Sequence, residues 1–193
     1  MQINLKEDTM PQDTIITKLY QDYPNQPYVN PDRDLVQFAQ DLSTGREQKV
    51  SRQQMVSTEE GLLPGHIILL WRIAFGTFTN QSVFPKYLEY TYGIDGSAGL
   101  ELLIDQGYAY LETPSQSIDH LNAGQVKAIL KDLGVRGYSK LNRQGLDSLL
   151  LKSIDDDDLG SYFKVQGLAL SSKGQAALSN NQAIIDKHPK KKY

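Results

Sequence analysis

Four glycines set the scale of anything this chain can build. Gly45, Gly93, Gly107 and Gly134 each follow a segment whose apolar residues recur at helical spacing, and glycine leaves a helix through the left-handed region at the lowest steric cost. Every stripe is therefore cut off after roughly three turns. The first covers residues 31–43: Asn30-Pro31-Asp32 reads as cap, first helical proline and first-turn acid, and Leu35, Phe38, Ala39 and Leu42 repeat up to Gly45. From Pro64-Gly65, residues 66–75 are apolar nearly all round, which predicts a helix buried on several sides, with Trp71 in a core and His66 capping or packed at its start. Phe84-Pro85 opens a second helix with Tyr87, Leu88 and Thr91 on one side. Ile94-Asp95 then turns into a third, capped by Asp95 or Ser97, with Ala98, Leu100, Leu103 and Ile104 apolar up to Gly107.

Two stretches break the helical rhythm. Tyr108-Ala109-Tyr110-Leu111 and part of residues 162–170 read as strands, and they are expected to pair antiparallel across everything between them. Ser171 then caps a closing helix. Residues 1–29 carry too few spaced apolar side chains to cover a core face and predict a mobile or loosely docked arm. Residues 48–60 read as a polar linker, with room for one helical turn at 51–56.

Composition removes whole classes of chemistry. Cysteine is absent and the three histidines, His66, His120 and His188, are scattered, so the sequence predicts no disulfide framework, thiol nucleophile or metal cage, and no catalytic residue or cofactor. Neither a Walker nor a Rossmann phosphate loop is present. The longest apolar run, Ile67-Ile68-Leu69-Leu70-Trp71, is far short of the roughly 20 residues of a bilayer span, and the first residues lack signal-peptide order; the expectation is a cytoplasmic protein without membrane contact. Asp155-Asp156-Asp157-Asp158 lacks the alternating ligands of a calcium loop and reads as a solvated turn.

Charge is distributed unevenly. Residues 1–60 hold 6 basic and 10 acidic side chains and residues 61–112 hold 2 and 5, whereas residues 115–153 hold 6 basic against 3 acidic. A polyanion would therefore be drawn to the second half. The third predicted helix offers Glu101, Asp105 and Gln106 with no basic residue, which suits a protein contact and repels DNA. Lys190-Lys191-Lys192 adds a short basic tail over 188–193.

The basic stretch also has a pattern of its own. Asn122 with Gln125 forms a capping box; Val126, Ile129, Leu130 and Leu133 face inward before Gly134; an extended link leads to Asn142, which starts a helix striped by Leu146, Leu149 and Leu150. The runs Val126-Lys127-Ala128-Ile129-Leu130-Lys131-Asp132-Leu133-Gly134-Val135 and Gly137-Tyr138-Ser139-Lys140-Leu141-Asn142-Arg143-Gln144-Gly145-Leu146 resemble the SAP motif and its relative at the N-terminus of the transcription terminator Rho. The likeness covers about 35 of the 193 residues, 119–153. Val126 replaces the first leucine of the usual pair, and Gly145 stands where a helix former is usual. The likeness implies a helix, extended loop, helix module that binds duplex DNA, with RNA the alternative on the side of the Rho relative. Its nucleic-acid-binding residues would be Lys127, Lys131, Arg136, Gly137, Tyr138, Ser139, Lys140 and Arg143.

The surrounding order of helix, Gly-Ile-Asp turn, helix and Gly-Tyr strand resembles a winged helix-turn-helix, and Leu170-Ser171-Ser172-Lys173-Gly174 resembles the strand-to-helix ending common at the close of such domains. The expected fold is mainly α with a small β-hairpin: an arm over 1–60, a winged-helix-like domain over 61–111 and 162–187, and a SAP-like bihelical module inserted at 115–153. The expected function is non-enzymatic, sequence-tolerant binding of nucleic acid. The competing reading is a protein-interaction adaptor or scaffold without nucleic-acid binding, in which the bihelical unit and the acidic helical surface both contact proteins.

Overall fold

Side-chain oxygens start most of the helices, and glycines end several of them. In the computed structural model, which describes residues 12–189, α1 spans Gln12–Leu19, α2 Leu35–Thr44, α3 Pro64–Ile73, α4 Tyr87–Tyr90 and α5 Gly96–Asp105. The strand β1 at Ala109–Leu111 precedes α6 at Ala123–Asp132, α7 at Arg143–Ser153 and α8 at Asp156–Tyr162; β2 at Leu168–Leu170, α9 at Ser172–Asn180 and α10 at Gln182–Lys187 follow. Short 3-10 turns lie at Arg52–Met55 and Ile118–His120. The fold class is thus mainly α with one small antiparallel sheet. Gly45, Gly93, Gly107 and Gly134 all take positive φ, between 64° and 73°.

The described residues group into two compact units, one of residues 12–69, 84–102 and 181–189, the other of residues 70–83 and 103–180. In the first unit the expected loose arm is corrected over its described part. Ile16 and Tyr20 are buried with Leu35, Phe38, Val50 and Met55, while Tyr23 and Val29 pack against the same cluster. Main-chain acceptors tie the segment down: Lys49 Nζ donates to the Leu19 carbonyl at 2.7 Å, Tyr23 Oη to that of Val50 at 2.7 Å, and the Tyr28 amide to that of Gly93 at 2.7 Å. The expectation for residues 1–11 falls outside the described residues. The stretch read as a linker likewise buries Val50 and Met55, the latter completely.

Helix α2 begins four residues later than Asn30-Pro31-Asp32 suggested. The Arg33 amide closes a turn onto the Asn30 carbonyl at 3.0 Å, with proline at its second position, and Asp34 is the cap, accepting from the Gln37 amide at 2.9 Å. Arg33 lies over the Phe38 ring at 3.9 Å and the Tyr90 ring at 4.6 Å, pairing with Glu47 and, at 3.7 Å, with Glu89. His66 accepts on Nδ1 from the Leu63 amide at 3.2 Å, and burial pushes its pKa down to about 4.

The second unit is built on the hairpin. Strand β1 pairs antiparallel with β2 in the register Ala109↔Leu170, Tyr110↔Ala169, Leu111↔Leu168, so the strand-like runs on either side of the inserted segment do meet. Thr79 adds an isolated bridge to Gly167. Only the last residues of 162–170 are strand, because Tyr162 still belongs to α8. Trp71 is half-buried rather than enclosed and meets Phe75 edge-on, with ring centroids 4.8 Å apart. Three residues of the Ser171-Ser172-Lys173-Gly174 run have a physical role. Ser171 Oγ accepts from the Gly174 amide at 3.1 Å and donates to the Gly107 carbonyl at 2.6 Å, while Lys173 Nζ donates to the Gln106 carbonyl at 2.7 Å. A Cβ on Gly174 would overlap the Tyr108 carbonyl oxygen, so only glycine lets α9 approach β1.

Candidate nucleic-acid interface

The inserted segment builds its own core from two capped helices. Asn122 Oδ1 accepts from the Gln125 amide at 3.0 Å and Gln125 Oε1 accepts from the Asn122 amide at 2.8 Å, the reciprocal box that starts α6. Asn142 Oδ1 accepts from the Gly145 amide at 2.9 Å and starts α7. The buried side chains are Val126, Ile129 and Leu130 from α6 and Leu146 and Leu150 from α7. A core of two short helices is small, and neighbours in the same unit complete it: Ile118 and Leu121 from the 3-10 turn and its exit, and Leu159 from α8, with Phe163 packed alongside. The aspartate quartet corrects to a helix start. Asp155 caps α8 through the Asp158 amide at 2.9 Å, and Asp156 accepts from the Ser115 amide at 2.7 Å; acids in a first turn are favoured by the helix dipole.

The predicted binding residues divide into four groups. Lys131, Arg136 and Lys140 are exposed, Lys127 is half-buried, and none of the four side chains has a hydrogen bond or ion pair within the described residues. Lys127 and Lys131 stand one turn apart on α6, Arg136 sits in the link and Lys140 lies two residues before the α7 cap. Gly137, with φ of 87°, and Ser139 are exposed between Arg136 and Lys140, and the Leu141 amide closes a turn onto the Tyr138 carbonyl at 3.2 Å. Tyr138 itself is half-buried against the module core, so its ring is a plug for that core.

Arg143 departs from expectation. Its guanidinium is committed within the protein: Nε donates to both carboxylate oxygens of Asp147 at 2.7 Å, Nη2 donates to the Ile118 carbonyl at 2.5 Å, and Nη1 donates to the Leu121 carbonyl. All three nitrogens of the planar fork are engaged, which makes Arg143 a clamp between α7 and the chain entering α6 and removes it from the phosphate track.

Comparison with protein-family models, with curated proteins and with solved structures finds no match to this chain.

A second convergence went unread in the sequence. Glu112, Asp119 and His120 each bring one potential ligand atom to within 4.8 Å of the others. Burial, and then the Asp119 charge, raises the Glu112 pKa above the ordinary carboxylate range, partly offset by His120. The Asp119-His120 pair was visible; the approach of Glu112 depends on hairpin register, which adjacency in the chain does not reveal. Glu101 and Asp105 on α5 are both exposed, as the adaptor reading requires of an acidic surface. No helix among the described residues is long and apolar enough to cross a membrane.

Proposed function

We propose that residues 119–153 form a SAP-like module that binds nucleic acid through its phosphate backbone, duplex DNA ahead of RNA, and that the rest of the chain, including a winged-helix-like scaffold, presents this module without catalysing a reaction. The observation that carries the reading is the set Lys127, Lys131, Arg136 and Lys140: four cations within fourteen residues, none paired among the described residues, flanking the exposed Gly137 and Ser139. Cations held in place for structure are paired, as Arg143 and Arg33 are; these four remain available for phosphates. The link ends on the capped start of α7, whose dipole favours an anion, and Lys140 adjoins it. Backbone contacts of this kind position a module on a duplex and carry no base code, so binding is sequence-tolerant.

The adaptor reading is favoured by a different feature, a shallow depression of about 290 Å³ whose apolar floor of Leu121, Ala128, Ile129, Tyr162 and Phe163 is edged by Gln125 and Asp132 on the same unit. A titration of the protein with duplex DNA, single-stranded DNA and RNA over a salt series separates the two readings. Three or four phosphate contacts give a log K against log[salt] slope of about −2.7 to −3.6 on duplex DNA. Absence of binding to all three at low salt favours the adaptor.

A further inference from the structure

Three side chains apart from the proposed phosphate-contacting cations converge without a hydrogen bond between them. Glu112 follows β1, whereas Asp119 and His120 belong to the 3-10 turn that leads into α6. The His120 ring, 14% exposed, makes no hydrogen bond among the described residues; its nearest charged neighbour is Asp119 Oδ1, 3.8 Å from Nε2 and beyond hydrogen-bond range. The Glu112 carboxylate, half-buried, likewise accepts no hydrogen bond among the described residues. Both groups meet above Gly167, where a Cβ would overlap Glu112 Oε2 and stand 2.7 Å from His120 Nε2. The main chain beneath is fixed: the Glu112 amide donates to the Gly167 carbonyl at 2.9 Å and the Gly167 amide to Ser117 Oγ at 3.0 Å, Ser117 being fully buried.

We propose that Glu112, Asp119 and His120 bind a divalent transition-metal ion, of which Zn²⁺ is the type. Two carboxylates placed side by side repel each other, and an ion between them turns that repulsion into two attractions. One imidazole among the donors selects a borderline cation over Ca²⁺ or Mg²⁺, which prefer all-oxygen shells. Three protein ligands leave a coordination position for water, and bonds of about 2.0–2.2 Å require both the Asp119 side chain, which is 70% exposed, and the half-buried Glu112 carboxylate to turn toward His120. The ion joins the end of β1 to the turn that enters α6, so it pins the inserted module to the hairpin from which it departs. The site is independent of the phosphate track and stands whether or not the chain binds nucleic acid.

Calorimetric titration of the chelator-treated full chain with Zn²⁺ tests the assignment, with Co²⁺ as a second probe whose visible absorption reports a nitrogen and oxygen shell. The expected result is one saturable ion per chain and a Zn²⁺-dependent rise in Tm. Affinity should fall by about tenfold or more in each of Glu112→Gln, Asp119→Asn and His120→Ala, and be unchanged in His188→Gln. Asp119→Asn keeps the test secure, because an exposed side chain is replaced by one of the same shape. No saturable binding by the parent, or binding that survives Asp119→Asn and whichever of the other two variants retains parental helicity, would overturn the site.

Discussion

Arg143 Nε lies 2.7 Å from both carboxylate oxygens of Asp147, one turn further along α7, and the same guanidinium reaches back to the main chain before α6. Those contacts turn a residue that looked like a phosphate ligand into the fastener of the module. Removing it takes the guanidinium donors from the Leu121 carbonyl and from the Ile118 carbonyl, which keeps only the Leu121 amide at 3.0 Å, so Arg143→Ala should destabilise the protein by about 1–3 kcal/mol in urea denaturation. Arg143→Lys should recover only part of this, since an ammonium cannot reproduce the fork. An unchanged midpoint in Arg143→Ala would contradict the clamp.

Local chemistry was legible in the sequence and distant pairing was legible only in part. The Asn122–Gln125 box, the Gly134 stop and the inward face of α6 need nothing beyond neighbouring residues, and the structure has all of them. The hairpin was readable because Tyr108-Ala109-Tyr110-Leu111 has no local partner. Arg143 was not, because its carbonyl acceptors lie 22 and 25 residues away and backbone acceptors leave no trace in composition. Tyr20 was missed for a related reason: Leu35, Phe38, Val50 and Met55 reach it from separate short segments, so no single stripe announces the core. Glu112 and His120 meet only once the register of β1 and β2 is set.

The docked N-terminal segment makes its own prediction. Tyr20 is 4% exposed, and replacement by alanine should cost about 3 kcal/mol or more, as for other buried aromatics. In hydrogen exchange the amides of Tyr20 and Tyr28, which donate to the Ile16 and Gly93 carbonyls, should be protected. Exchange at the rate of an unfolded peptide at both positions would show the segment to be loose.

Gly174 should tolerate no side chain. Alanine there drives its Cβ into the Tyr108 carbonyl oxygen, a backbone atom that cannot rotate aside, and should lower stability by about 1–3 kcal/mol. Gly76→Ala is the comparison: its Cβ meets nothing within 4 Å, and only the strain of a φ of 67° remains. Equal losses in the two variants by thermal denaturation would argue against the close approach of α9 and β1.

His66 gives a pH dependence of defined sign. Its pKa is lowered from 6.5 to about 4 by burial, so between these values the unfolded chain takes up a proton that the folded chain refuses. The contribution of neutral His66 is complete above pH 6.5, shrinks as pH falls, and is gone near pH 4, a span of about 3 kcal/mol at most. His66→Gln should flatten the stability profile across that window relative to the parent. Parallel profiles would place the imidazole in water.

The central claim is that the four cations unpaired among the described residues, and not Arg143, hold nucleic acid. Its most direct measurement is the salt dependence of duplex DNA binding in the parent, in Lys131→Ala with Lys140→Ala, and in Asp147→Asn, which weakens the clamp without touching the track. Removing two phosphate contacts should flatten the log K against log[salt] slope by about two units, while Asp147→Asn leaves the slope within error of the parent. A slope unchanged by the double substitution, or no salt-dependent binding by the parent, would contradict the account.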